Sequence, residues 1–122
     1  FPGGAADPDS RPGWLLNVTD DSWIGSEPGP HQHFLQARVR AVEEGLPLVR
    51  AAKSGISAII DANGRVVASL TFGRAGVVDG NLPVSLSPTP YSLYGGWIFL
   101  KLLVASLGTA TIGRIIASRS HN

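Results

Sequence analysis

The stretch Ile56 to Leu70 constrains this chain more than any other. Two apolar, β-branched runs, Ile56-Ser57-Ala58-Ile59-Ile60 and Arg65-Val66-Val67-Ala68-Ser69-Leu70, flank Asp61-Ala62-Asn63-Gly64. Asn-Gly supplies the positive φ values of a tight turn, so the pattern predicts a β-hairpin. The chain must therefore build a sheet, and the segments around the hairpin must cover it.

Upstream, Trp14 to Val18 is a short apolar run of strand length, consistent with a buried strand. Asp20 to Pro30 is a polar loop punctuated by Gly25, Pro28, Gly29 and Pro30. A helix is predicted from Pro30 to Glu44: proline suits its first turn, Gly45 is placed to cap its C-terminus, and Pro47 prevents continuation. At about 100° per residue, Phe34, Leu35, Ala37, Val39, Ala41 and Val42 share one broad face, and Gln36, Arg40, Glu43 and Glu44 the other. Arg38 projects near the middle of the apolar arc, where a charge is costly without a partner. Two readings stay open: an arginine snorkelling past the helix edge, or a buried pair with Asp20 or Asp21 that fixes the Trp23 loop. Leu48 to Ala52 reads as a second strand and Gly76 to Leu82 as a further one. Phe1 to Gly13 and Pro83 to Pro90 read as a surface loop and an extended linker.

The tail differs. Trp97 to Ala117 carries two charges, Lys101 and Arg114, towards its ends. A membrane span needs ~20 mainly apolar residues, and Tyr91, Tyr94 and Trp97 precede the run as an interfacial aromatic cluster would. A transmembrane helix over 97–117 is expected, with an amphipathic core helix as the alternative. Arg114 and Arg119 lean towards a cytoplasmic C-terminus, leaving residues 1 to 90 on the outer side. No signal peptide is visible.

The 122 residues suffice for one small domain, and a start at Phe1 suggests a piece of something longer. Fifteen Gly and nine Pro without a period imply a looped globular fold rather than low complexity. A net charge of +1 with scattered arginines argues against nucleic acid. Zero cysteine removes disulfides, thiolate metal sites and any thiol nucleophile. His31 and His33 diverge by ~200° on a helix and have no evident third ligand, so they read as a polar helix entrance rather than a metal site. Asn17-Val18-Thr19 matches a glycosylation sequon but falls in a predicted strand.

Asp20-Asp21-Ser22-Trp23, Pro30-His31-Gln32-His33, Pro47, Arg50-Ala51, Lys53-Ser54-Gly55, the Asn63-Gly64 hairpin and Thr89-Pro90-Tyr91 occur in an order and spacing that resemble bacterial apolipoprotein N-acyltransferases, within the nitrilase (carbon–nitrogen hydrolase) superfamily. The resemblance implies an α/β fold: part of a nitrilase-like αββα sandwich over residues 1–82, a linker over 83–96, a transmembrane helix over 97–117 and a tail over 118–122. It implies a place in the bacterial inner membrane, with the nitrilase-like part on the periplasmic side. It also implies a reaction. A Cys thiolate, supported by Glu and Lys, takes an acyl chain from phospholipid as a thioester and passes it to the α-amino group of a diacylglyceryl-cysteine lipoprotein. No cofactor is involved.

All three catalytic groups lie upstream in the family, where the Cys often runs into a Phe-Pro like Phe1-Pro2. Lys53 and Lys101 do not match the catalytic lysine, so no catalytic residue is assigned here. The pocket candidates carried over are Asp20, Asp21, Trp23 and Glu43. Asp20 stands where the family has Asn, replacing an amide donor with an acceptor-only carboxylate. Lys53 likewise stands at an Asn position. Trp23 is expected either against an acyl chain or the catalytic sulfur, or as an aromatic plug beneath the loop. Glu43 is expected to line the pocket or to pair with an arginine. On this resemblance the chain is a C-terminal piece, inactive and poorly stable alone, whose partners are phospholipid, lipoprotein substrate, membrane and the missing N-terminal half. The alternatives are a piece of a superfamily amidase, or a non-catalytic membrane-anchored remnant.

Overall fold

A computed structural model describes residues 10–26 and 28–119, the last eight of these (112–119) by backbone only. Phe1 to Asp9, within the predicted N-terminal loop, lie outside the described residues.

Strand β1 (Leu15–Asp20) and strand β2 (Leu48–Lys53) pair in parallel, in register from Leu15↔Leu48 to Asp20↔Lys53. Parallel neighbours need a long crossover, and helix α1 (Gly29–Glu44) supplies it. Strands β3 (Ser57–Ile60) and β4 (Val66–Leu70) continue the sheet antiparallel, giving the order β1-β2-β3-β4.

Helix α1 begins and ends as its sequence dictates. Pro30 sits in the first turn, where its missing N–H costs nothing. Gly45 takes the left-handed conformation (φ 65°) and its N–H closes on Ala41 and Val42 carbonyls. The buried stripe is Pro30, Phe34, Ala37, Ala41 and Glu44. It runs at alternating spacings of four and three, which corrects two expectations. Glu44, assigned to the polar face, is fully buried, because it falls one turn beyond Ala41 on the same stripe. Leu35, Val39 and Val42 remain about half exposed, so only part of the apolar arc meets the sheet. The core joins Phe34, Ala37 and Ala41 to Leu48, Ile56, Ala58 and Ile60, with Leu15 and Phe72 against it.

The hairpin forms, but not as the tightest turn. Only Gly64 takes a positive φ (78°); Asn63 does not. The Asp61 side chain accepts the N–H groups of Asn63 (2.9 Å) and Arg65 (2.8 Å), which supports a longer loop. A register shift at Ile59/Ile60 absorbs the difference. Arg38 neither snorkels free nor reaches Asp20 or Asp21. Its Nε donates to the Gly64 carbonyl at 2.8 Å, fastening the helix to the hairpin turn.

Gly76 to Leu82 is not a strand. The segment crosses the sheet face instead of extending its edge: Gly76 approaches Leu70, and a Cβ on Gly80 would sit 3.0 Å from Ile59 Cδ1. Its close approach uses glycines, and Pro83 has no N–H to give a ladder. The predicted linker contains a short helix, α2 (Pro90–Tyr94), which Thr89 caps by accepting the Ser92 N–H at 3.0 Å.

The C-terminus of α1 is tied to this linker. Arg11 donates to the carbonyls of Glu44 (2.7 Å), Gly45 (3.3 Å) and Leu86 (2.9 Å), and Thr89 Oγ1 donates to that of Glu43. Helix α3 (Trp97–Arg119) follows, 23 residues long. The transmembrane helix expected over 97–117 is not found as such: among the described residues no helix is long and apolar enough to cross a membrane.

Candidate functional site

The C-terminal ends of β1 and β2 lie side by side, the edge where open α/β sheets place their ligand sites. Asp21 follows β1 directly, and its N–H continues the parallel ladder to the Lys53 carbonyl at 2.9 Å. Its side chain is fully buried and accepts from three groups: Arg50 Nη2 at 2.7 Å, His33 Nδ1 at 2.8 Å and Thr19 Oγ1 at 3.2 Å. Arg50, also fully buried, uses the rest of its fork on the Asn17 side-chain oxygen and on the Ile56 carbonyl at 3.2 Å. A planar guanidinium with five donors suits this role; a lysine could not span the three acceptors. A carboxylate without such partners would be very costly at this depth.

Gly55 makes room for the cluster. A Cβ there would overlap Asp21 Oδ2 and stand 2.8 Å from its Cγ. Ser54 beside it is a non-glycine residue with positive φ (55°), so the β2–β3 turn is held in an unusual conformation next to the buried charges.

Asp20 points the other way. Its carboxylate accepts the Ser22 N–H at 3.0 Å and lies 3.4 Å from Lys53 Nζ. The bond from Ser22 is the main cause that holds its acid below the ordinary aspartate value, and Lys53 adds to it. Asp20 and Lys53, both read from the sequence as departing from the pattern it resembles, are register partners facing one another with opposite charge.

Trp23 lies on a 3-10 turn (Ser22–Ile24) and is 77% exposed, so it is not a plug beneath the loop. Beside it opens a cleft of about 470 Å³ lined by Trp23, Ile24, Gly29, Gln32, His33 and Gln36. Glu43 is not brought to this place. It lies ten residues beyond His33 on α1, about 15 Å along the axis, where its Oε2 accepts from Arg40 Nη1 at 2.7 Å. The arginine pair expected of it is formed, and Glu43 also lines a separate cavity with Leu35, Arg38, Val39, Val42, Asn63 and Gly64. Tyr91 first, and then Glu43, hold the Arg40 guanidinium even more firmly protonated than usual. Among the described residues no group of three His, Cys, Asp or Glu could hold a metal.

The carbon–nitrogen hydrolase family profile matches residues 13–91, spanning both the sheet and the cluster. The chain belongs to the carbon–nitrogen hydrolase family. Within it, the chain is similar to apolipoprotein N-acyltransferases. It is 48% identical over 119 residues to that of Bradyrhizobium diazoefficiens, which covers 98% of this chain and 22% of the relative. It is 54% identical over 95 residues to that of Rhodopseudomonas palustris, covering 78% of this chain and 18% of the relative. For Brucella melitensis the figures are 50% over 105 residues, 86% and 20%. The chain thus spans about a fifth of the length of these relatives.

Arg50 and His33 are the residues that sequence reasoning passed over. Arg50 carried a signal: a charge inside the apolar run Leu48 to Ala52 needs a partner as urgently as Arg38 did. His33 looked like one of two polar residues at a helix entrance, and nothing in its spacing announced a contact with Asp21.

Proposed function

We propose that this chain is the C-terminal part of an apolipoprotein N-acyltransferase and forms one wall of its acyl-transfer pocket. The observation that carries the reading is the similarity at about half identity to proteins of that name along nearly the whole chain. The chemistry then needs groups that this chain does not contain. It has no cysteine, so the thiolate that forms the acyl thioester, with its Glu and Lys, comes from upstream polypeptide. The phospholipid acyl donor and the diacylglyceryl-cysteine lipoprotein are the substrates. Asp21, Arg50 and Gly55 hold the wall in shape, and Trp23 lies open at its rim.

Two features support the larger architecture. The sheet face opposite α1 leaves Leu16 (61%) and Val18 (73%) exposed, as half of an αββα sandwich would before its second sheet is added. Helix α3 exposes Phe99, Leu102, Val104 and Leu107, an apolar surface for contact with the inner membrane, with the sheet on the periplasmic side. The chain alone is inactive, because nothing in it can form the thioester.

The test is acyl transfer from phospholipid to a diacylglyceryl lipopeptide, run with the chain alone and with the polypeptide that includes the upstream half. Transfer is expected only in the second case. Turnover by the chain alone would refute the proposal, as would an inactive full polypeptide.

A further inference from the structure

The buried cluster does more than neutralise two charges; it fixes the state of a ring at the surface. His33 Nδ1 lies 2.8 Å from Asp21 Oδ1 and 3.4 Å from Arg50 Nη2. The nearer neighbour is a carboxylate, which can only accept, so in the neutral ring Nδ1 carries the hydrogen and Nε2 is left as an acceptor. Asp21 cannot turn away, because Arg50 and Thr19 hold it. The His33 side chain is 31% exposed and forms part of the cleft beside Trp23.

The rest of that cleft has a definite chemistry. Gln32 and Gln36 are four residues apart and so lie on one side of α1. Both are exposed, and among the described residues neither amide head has a hydrogen-bond partner. Each offers two donors and an acceptor, the complement of peptide N–H and C=O groups. The indole of Trp23 supplies a broad apolar wall. Gly29 lets loop and helix meet, since a Cβ there would overlap the Ile24 carbonyl oxygen. At about 470 Å³ the cleft falls in the range of small-ligand sites, roughly 300–1,000 Å³. Among the described residues no lysine or arginine lines it, so a phosphate would find no counter-charge there, and two open amides are poor company for an acyl chain.

We propose that this cleft seats the acceptor of the transfer, the amine-bearing N-terminus of a peptide. Gln32 and Gln36 bind its first peptide units, and His33 Nε2 accepts a hydrogen bond from its amine. Asp21 is a positioning residue that keeps His33 in the accepting tautomer. The assignment rests on the function proposed above and adds to it the half of the reaction this wall serves.

The two half-reactions separate the possibilities. In the full-length polypeptide that carries this segment, acyl-thioester formation is measured with phospholipid alone, and transfer is measured against lipopeptide concentration. Gln32→Ala/Gln36→Ala, at exposed positions that leave folding intact, is expected to raise the KM for lipopeptide about tenfold, the loss of one to two net hydrogen bonds, with thioester formation unchanged. His33→Phe should do the same, and His33→Gln, which retains an acceptor, should recover part of the loss. Slower thioester formation at unchanged lipopeptide KM would assign the cleft to the donor and overturn the proposal, and so would no change in either. A wild-type protein that forms no thioester would instead sink the functional reading beneath it.

Discussion

Arg50 offers the sharpest test of how this wall is held. Arg50→Met keeps a long, unbranched side chain and removes only the guanidinium. Three acceptors lose their donor: the Asp21 carboxylate, the Asn17 side-chain oxygen and the Ile56 carbonyl. Asp21 stays fully buried, and among the described residues only His33 and Thr19 remain to it. Breaking one side of a buried pair costs about 3–5 kcal/mol, most of it from the stranded charge. The native β1–β2 edge should therefore open more often by a factor on the order of 10² to several times 10³. Hydrogen exchange reads this directly, as lost protection of the amides of β1 and β2 next to Asp21, in the full polypeptide at neutral pH. Adding Asp21→Asn in the same molecule removes the stranded charge, so the double variant should be less damaged than Arg50→Met alone. An Arg50→Met protein within about 1 kcal/mol of wild type, or a double variant that is simply the sum of two losses, would refute the account of a charge-balanced cluster.

Two further outcomes follow from the same neighbourhood. Gly55→Ala should disorder the cluster nearly as much as losing Arg50, since its Cβ would overlap Asp21 Oδ2; thermal unfolding and Trp23 fluorescence measure this, and an unchanged midpoint would exclude the close approach. Asp20 holds the Ser22 N–H through a carboxylate whose acid is depressed below its ordinary value. A depressed folded pKa means that the loop contact is in full force above the unfolded value and is lost as pH falls through the folded one. The Trp23 signal should thus change at a lower pH than an ordinary aspartate would set, and Asp20→Asn should abolish the step.

The local elements were legible because each rests on contacts close in sequence. The α1 caps at Pro30 and Gly45 and the hairpin around Asn63-Gly64 are settled by φ preferences and missing N–H groups within a few residues. The errors came where distance in sequence mattered. Gly76 to Leu82 reads as a further strand in sequence, but a strand needs a partner edge, and here the segment covers the sheet face instead. The helical period places Glu44 on the polar face, yet the packed stripe of α1 runs through it. Among the site candidates, Asp20, Asp21 and Trp23 are close along the chain, at the end of β1 and in the turn after it, although Asp20 faces away from the Asp21 cluster; Glu43 lies at the far end of the helix.

By itself, then, the sequence determined strands β1 and β2, helix α1 and the β3–β4 hairpin, the absence of any thiol, and, through its resemblance, the family. Only the tertiary structure decided which arginine is buried. Arg38 and Arg50 each sit in apolar surroundings along the chain, and sequence gave Arg38 the stronger claim. The parallel register of β1 and β2 brings Asp21 beside Arg50 and leaves Arg38 to the Gly64 carbonyl. Pairing between strands 33 residues apart is set by how the helix packs across them, and no local preference encodes it. The same packing turns His33 from a polar helix entrance into the ring that joins the buried charges to the open cleft.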